Sequence, residues 1–322
     1  MRILVVRFSS LGDVVLTTSV LSPLKEMGFS VDFLTFKPFG EILRNQPFID
    51  RVLEVDRKGL KSLSQIRSLA EELQNYEFGI DLHNVLRTKL LRKFLPFKTY
   101  VYEKKSFLRR IMVLFKPFKS KWLYVPELYA TALKRAGIEV ENPRPVLYPN
   151  LKIRKEFKKK LPENLIALSP GARWETKRYP LKKFREVIGE VKRKGFHPVV
   201  VGGKEEENLG KELEGEGVLN FCGKLTLSES LALISLTKGV ISNDSAVVHI
   251  ARALKVPVVS IFGPTHPAFG FAPYPDEGIS ITLNLPCSPC SLHGKTRCKE
   301  QRCFNIPPKK VVDKLFSLME VN

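Results

Sequence analysis

The sequence predicts an α/β protein built as two domains, each with a parallel sheet, facing across an interdomain cleft. Three observations carry that expectation. Short apolar runs, rich in β-branched residues, alternate with longer amphipathic segments along the chain, the pattern of βα units feeding a parallel sheet. A proline-rich stretch at 141–149, carrying Pro143, Pro145 and Pro149, divides the alternation into two halves of similar size. The 322 residues, 43% hydrophobic, suffice for two cores of about 150 residues each.

The first half opens with RILVVR at 2–7, an apolar run suited to a buried strand. A helix is expected at 11–27, followed by strands at 31–36 and 51–55. A helix at 62–74 ends near Asn75, and strand 79–82, helix 86–94 and strand 99–102 follow. Further helices are expected at 107–115 and 128–136. The basic stretch 151–160 reads as a short helix opening the second half. There the strands fall at 165–169, 197–201, 218–221, 239–241 and 258–262. Helices fall at 181–194, 205–213, 227–236 and 246–254, with a terminal helix at 311–319. The expected domains are 1–150 and 151–308, with 309–322 as a closing helix.

No apolar run approaches the roughly 20 residues of a membrane span. MRILVVRF is interrupted by Arg7 and reads as a first strand, not a signal peptide, so a cytoplasmic protein is expected. The net charge of +20 is unevenly placed: residues 87–121 hold twelve Lys and Arg against the single acid Glu103, hence +11. Aromatic and aliphatic residues interleave there, among them Phe107, Leu114, Phe115, Phe118 and Trp122. A basic, aromatic-rich surface suits an anionic membrane face, an anionic lipid or nucleic acid. The alternative is two solvated helices with apolar faces in the core.

Ligands of such sheets collect at the carboxyl ends of the strands, so the loops after strands carry the candidate chemistry. The loop after the first strand is FSSLGD, where Ser10 and Asp13 fit a capping-box spacing around Gly12. A carboxylate at such a strand end can also take a proton from a sugar hydroxyl as its oxygen attacks. The loop SPGARWETKRYP at 169–180 offers Gly171 for close backbone approach and Arg173, Lys177 and Arg178 to neutralise a diphosphate. In VGGKEEE at 201–207, one of Glu205, Glu206 and Glu207 can bind ribose hydroxyls, or all three can be helix-start acids. No GxGxxG follows either half's first strand, which argues against a nicotinamide dehydrogenase. The stretch SNDSAVVHIARALKVPVVSIFGPT at 242–265 reads as loop, helix and buried strand. Its helix start, with free N–H groups and the positive dipole end, favours an anion.

Cys222 falls at a strand end. Cys287, Cys290, Cys298 and Cys303 follow a C-x2-C-x7-C-x4-C spacing, a partial match to a structural zinc site. Zinc, local disulfides and reduced thiols all remain open, and all three are structural readings. No cysteine stands out as a nucleophile.

With these residues in view, the chain resembles the heptosyltransferases of glycosyltransferase family nine, which build the inner core of lipopolysaccharide. ILVVRFSSLGDVVLTT, SPGARWETKRYP and SNDSAVVHIARALKVPVVSIFGPT carry the resemblance, and the cysteine-containing tail is similar to the heptosyltransferase II type. The resemblance implies a GT-B fold, two Rossmann-like domains with the last helix crossing back onto the first. It implies inverting transfer of heptose from ADP-heptose to a lipid A-core acceptor, without cofactor or catalytic metal, at the inner face of the inner membrane. Asp13 matches the catalytic base and Lys177 the lysine contacting the donor diphosphate. Asp244, Ser245 and His249 match the donor-binding loop and helix, and Glu206 is carried forward for the ribose. Ser10, Gly12, Gly171, Arg173 and Ala246 complete the donor set. Ala246 departs from the family's frequent glycine, and its methyl would crowd the phosphate. Lys89, Arg92, Lys104, Lys105, Arg109 and Arg110 are the candidates for the acceptor or an anionic membrane surface. The competing readings are a GT-B sugar-nucleotide epimerase, a transferase using another donor, or a nucleic-acid binder. The last rests on charge alone and leaves the strand-end loops of both halves unexplained, so no nucleic acid is expected as partner.

Overall fold

The computed structural model describes all residues except 117–121, 297, 299 and 322, and at 321 the backbone alone. Phe118, Lys119 and Lys121 of the basic segment therefore lie outside the described residues. The chain forms two compact units. The first comprises Met1–Lys104 and Val125–Tyr148, the second Lys105–Tyr124 and Pro149–Asn322.

The strands of the first unit are β1 (Arg2–Val6), β2 (Ser30–Phe36), β3 (Arg51–Val55), β4 (Phe78–Asp81) and β5 (Thr99–Val101). They pair in parallel in the order β3-β2-β1-β4-β5. The helices are α1 (Leu11–Glu26), α2 (Leu63–Glu72) and α3 (Leu86–Phe94); after α4 (Ser106–Phe115), which belongs to the second unit, comes α5 (Val125–Arg135). Ile3, Leu4 and Val5 of the central strand are 0% exposed, as a strand covered on both faces demands. α1 is buried from Val14 to Leu21, so its sequence is apolar all round and not amphipathic. Its Thr17, Thr18 and Ser19 hydroxyls donate back to the carbonyls of Val14, Val15 and Leu16 at 2.6–2.7 Å, which satisfies them inside the core. Asp32, wholly buried on β2, is held by Arg51 at 2.5 Å and by the Tyr76 hydroxyl at 2.9 Å.

The second unit contains α6 (Leu151–Lys160), β6 (Leu165–Ser169), α7 (Leu181–Arg193), β7 (His197–Val200), α8 (Glu207–Glu212), β8 (Leu219–Asn220) and α9 (Leu227–Ile234). It continues with β9 (Thr237–Asn243), α10 (Ala246–Ala253), β10 (Val258–Ile261), β11 (Gly278–Ile281) and α11 (Pro308–Val321). Its strands are parallel in the order β11-β10-β9-β6-β7-β8. The edge strand β11 is absent from the sequence reading. It is four residues long and opens on Gly278, where a Cβ would sit 2.3 Å from the Val258 carbonyl oxygen, so pairing with β10 needs the glycine.

Two expectations about the domains need correcting. Residues 105–124 were expected in the first domain, but Met112 is buried, Arg109 lies over Phe271, and the Leu123 N–H donates to the Ala268 carbonyl, so the segment packs in the second unit. The terminal helix was expected to cross back to the first domain. Instead α11 packs on α7, β9, β10 and β11. Its Val311, Val312 and Leu315 are at most 1% exposed within the second core. Each such burial is worth roughly 1.5–3 kcal/mol, which holds the helix on this sheet.

Candidate active site

In an open parallel sheet, ligands bind beyond the carboxyl ends of the strands where the strand order reverses, because the connections there leave in opposite directions. That reversal falls between β1 and β4 in the first sheet and between β6 and β9 in the second. The loops after these four strands hold Asp13, Lys177 and Asp244.

In the first unit, Arg7 leaves β1 only 6% exposed. Its Nε donates to the Ser9 carbonyl at 2.8 Å and its Nη1 to the Leu82 carbonyl at 2.6 Å, while Nη2 pairs with Asp13 Oδ1 at 2.8 Å. Burial pulls the Arg7 guanidinium down, but Asp13, Tyr129 and Tyr102 outweigh it, and the group ends above its ordinary value. Asp13 Oδ2 accepts from the Ser10 backbone N–H at 3.1 Å and from the Ser10 hydroxyl at 2.8 Å. The carboxylate thus closes the first turn of α1, around buried Gly12, and keeps 18% of its side chain exposed. The carboxylate therefore stands at the strand end against a fixed cation, where a base would have to be.

The loop after β4 carries a residue the sequence reading missed. The backbone N–H groups of His83 and Asn84 both donate to Asp81 Oδ1 at 2.8 Å, which turns the chain at the strand end. Burial first, then the positive charge of Arg7, lowers the His83 imidazole to about 3, so it is neutral. Its Nδ1 is buried without a hydrogen-bond partner. The visible signal was a titratable side chain directly after a strand segment, in GIDLH.

In the second unit, Lys177 and Asp244 meet: Nζ lies 2.6 Å from Oδ2, with 14% and 13% of the side chains exposed. Asp244 Oδ2 also accepts from the Thr265 hydroxyl at 2.7 Å. Burial would raise the Asp244 carboxyl, but Lys177, Thr265 and His249 overcome it and hold it below its usual value. Asp244 and Ser245 lead directly into α10, whose first residue is Ala246. His249 is buried on α10, its Nδ1 3.4 Å from Arg252 Nη1. Asn243, of a type suited to capping the helix that follows, ties two of the loops together. Its Oδ1 accepts from the Tyr179 N–H at 2.9 Å and its Nδ2 donates to the Pro170 carbonyl at 2.7 Å.

Two of the three glutamates separate. Glu206 Oε2 accepts from the Gly203 N–H at 2.8 Å, and its stem lies across Gly171, where a Cβ would meet Glu206 Cγ at 2.4 Å. Burial raises the Glu206 carboxyl. Glu207 instead pairs with Lys211 at 2.8 Å on the helix surface. Arg173 is exposed, with its guanidinium 5.8 Å from the Trp174 ring centroid.

The six cationic candidates are divided between the two units. Lys89, Arg92 and Lys104 belong to the first unit, Lys105, Arg109 and Arg110 to the second. Arg92 is committed to buried Asp81 at 2.5 Å, and Lys104 Nζ reaches the His83 carbonyl at 3.5 Å. The cysteines are free thiols in this structure: Cys222 and Cys303 are buried, whereas Cys287 and Cys298 are exposed. Cys287, Cys290, Cys298 and Cys303 line one cavity of about 310 Å³. Among the described residues no cluster of three His, Cys, Asp or Glu side chains is arranged to hold a metal ion. No helix among them is long and apolar enough to cross a membrane.

The chain is 25% identical over 320 residues to lipooligosaccharide heptosyltransferase 2 of Campylobacter jejuni, covering 96% of each. A glycosyltransferase family 9 structure from Veillonella parvula superposes with a TM-score of 0.81 at 21% identity, covering 100% of this chain and 97% of the other. ADP-heptose LPS heptosyltransferase II of Escherichia coli superposes with a TM-score of 0.76 at 20% identity, covering 100% and 99%. These likenesses establish the fold as GT-B. The profile of glycosyltransferase family 9 (heptosyltransferase) matches residues 66–301, which span both strand-end loops of the Lys177–Asp244 pair. The chain belongs to glycosyltransferase family 9 and is a glycosyltransferase.

Proposed function

We propose that this enzyme transfers heptose from ADP-heptose to the inner core of lipopolysaccharide, with inversion at the anomeric carbon. The observation that carries the reading is the Lys177–Asp244 pair at the N-terminus of α10, beside the strand-order reversal of the second sheet. An ammonium has three N–H donors, so Lys177 can hold Asp244 and still meet diphosphate oxygens. The free N–H groups and positive dipole end of α10 add to it. Asp13 takes the proton of the acceptor hydroxyl as that oxygen bonds to the anomeric carbon. The bond from that carbon to the diphosphate breaks, and ADP leaves with its negative charge met by Lys177 and the helix start. Glu206, aimed at Gly171, suits the ribose hydroxyls. Cationic charge between 87 and 121 serves the phosphorylated acceptor or the anionic inner face of the inner membrane, making this a cytoplasmic, peripheral protein.

The test is incubation with ADP-heptose and truncated core acceptors, with the product identified by mass. ADP should bind more tightly than UDP or GDP; the reverse order would support a different donor. Asp13→Asn should retain ADP binding and lose roughly 100- to 10,000-fold in turnover. Substantial residual turnover would remove Asp13 from the base role.

A further inference from the structure

Four large apolar side chains near the start of the second unit face solvent. Phe107, Leu114 and Phe115 on α4 are 76%, 71% and 60% exposed, and Trp122 beyond it is 46% exposed. Steps of three and four place Phe107, Arg110 and Leu114 on one face of α4. The opposite side is firmly seated. Met112 is fully buried, the Arg109 guanidinium lies 5.3 Å from the Phe271 ring centroid, and Lys116 Nζ donates to the Cys287 and Pro289 carbonyls at 2.8 Å. The outward face is therefore a displayed surface of an anchored helix. Between residues 104 and 122 there is no acid, while Lys105, Arg109, Arg110 and Lys116 are cationic.

We infer that α4 with Trp122 is the element that seats this protein on an anionic phospholipid bilayer. Phe107, Leu114 and Phe115 enter the interface between headgroups and chains, Trp122 sits at headgroup depth, and Arg110 meets lipid phosphates. The charge and the large apolar side chains occur together, and that pairing favours a charged lipid surface over a neutral one. The inference rests on the membrane reading above and narrows it. On α3, by contrast, Arg92 is bound to Asp81 and Arg87 donates to the Leu60 carbonyl.

The experiment is flotation of the full chain with phosphatidylcholine vesicles, with and without about one-third phosphatidylglycerol, at low and high salt. The wild type should bind only the anionic vesicles, and less at high salt. The triple variant Phe107→Ser, Leu114→Ser, Phe115→Ser should bind at least roughly 30-fold more weakly while keeping wild-type ADP affinity. If the triple variant does not fold, Phe107→Ser alone, at the most exposed position, should lose roughly fivefold. Wild-type binding with no loss in these variants overturns the role of α4 and leaves the membrane reading standing. No binding by the wild type overturns both. Equal binding to neutral vesicles overturns the assigned role of charge.

Discussion

Asp244→Asn isolates the charge at the centre of the donor loop. Asparagine keeps the size and leaves an acceptor for the Thr265 hydroxyl, so the main loss is the attraction to Lys177 Nζ, 2.6 Å away. Breaking a fully buried ion pair costs about 3–5 kcal/mol because one charge is left without compensation. Here the side chains are 14% and 13% exposed, and a long lysine can turn its ammonium toward water, so about 2 kcal/mol is expected. For a unit of this size each kcal/mol shifts the melting temperature by about 2–4 °C, giving a fall of about 4–8 °C. Calorimetry at pH 7 on the wild type and the variant measures it, read on the transition of the second unit. The pH dependence supplies an internal control. Burial works against the Asp244 carboxylate, but Lys177, Thr265 and His249 set its folded pKa below the ordinary value. A depressed carboxylate contributes stability above its unfolded pKa of about 3.9 and loses it as pH falls through the folded value. The difference between wild type and variant is therefore full at neutral pH and shrinks below about pH 4. A shift under about 1 °C at pH 7, or a difference that persists undiminished in acid, would refute the reasoning.

Two further outcomes follow from the buried titratable groups. His83, held near 3 by burial and by Arg7, should show no titration of its ring resonances between about pH 5 and 8 by NMR. Because its folded pKa lies below the unfolded value, its contribution is complete above about pH 6.5 and declines as pH falls from there toward the folded value. His83→Gln should flatten that slope, and a His83 midpoint near 6.5 would contradict it. Among the cysteines, a maleimide on the folded protein should modify exposed Cys287 and Cys298 first. Cys222 and Cys303, pushed by burial up to about 12 and about 11, should react only on unfolding. Peptide mass mapping reads the order, and early modification of Cys222 would contradict it.

The parts of the fold legible in the sequence are those whose cause is local. RILVV is apolar at every position because β1 is covered on both faces. Ser10 and Asp13 are spaced to close the first turn of α1, and they do so. Asp244 and Ser245 precede an apolar helix and lead into α10. β11 escaped notice because a four-residue edge strand opening on glycine carries little periodic signal. Glu205, Glu206 and Glu207 were indistinguishable for a related reason: their order along the chain does not say which one lies across Gly171.

The alternation of strands and helices, and the strand-end position of Asp13, Lys177 and Asp244, are properties of the sequence itself, since each follows from patterning within a few residues. Tertiary structure decided the partners. It paired Lys177 with Asp244, closed Arg7 over Asp13, neutralised His83, placed α4 with the second unit and set α11 on the second sheet. The physical reason is one of range. Hydrophobic periodicity and capping act within one or two turns of chain, whereas ion pairs and desolvation depend on what packing brings together from distant segments.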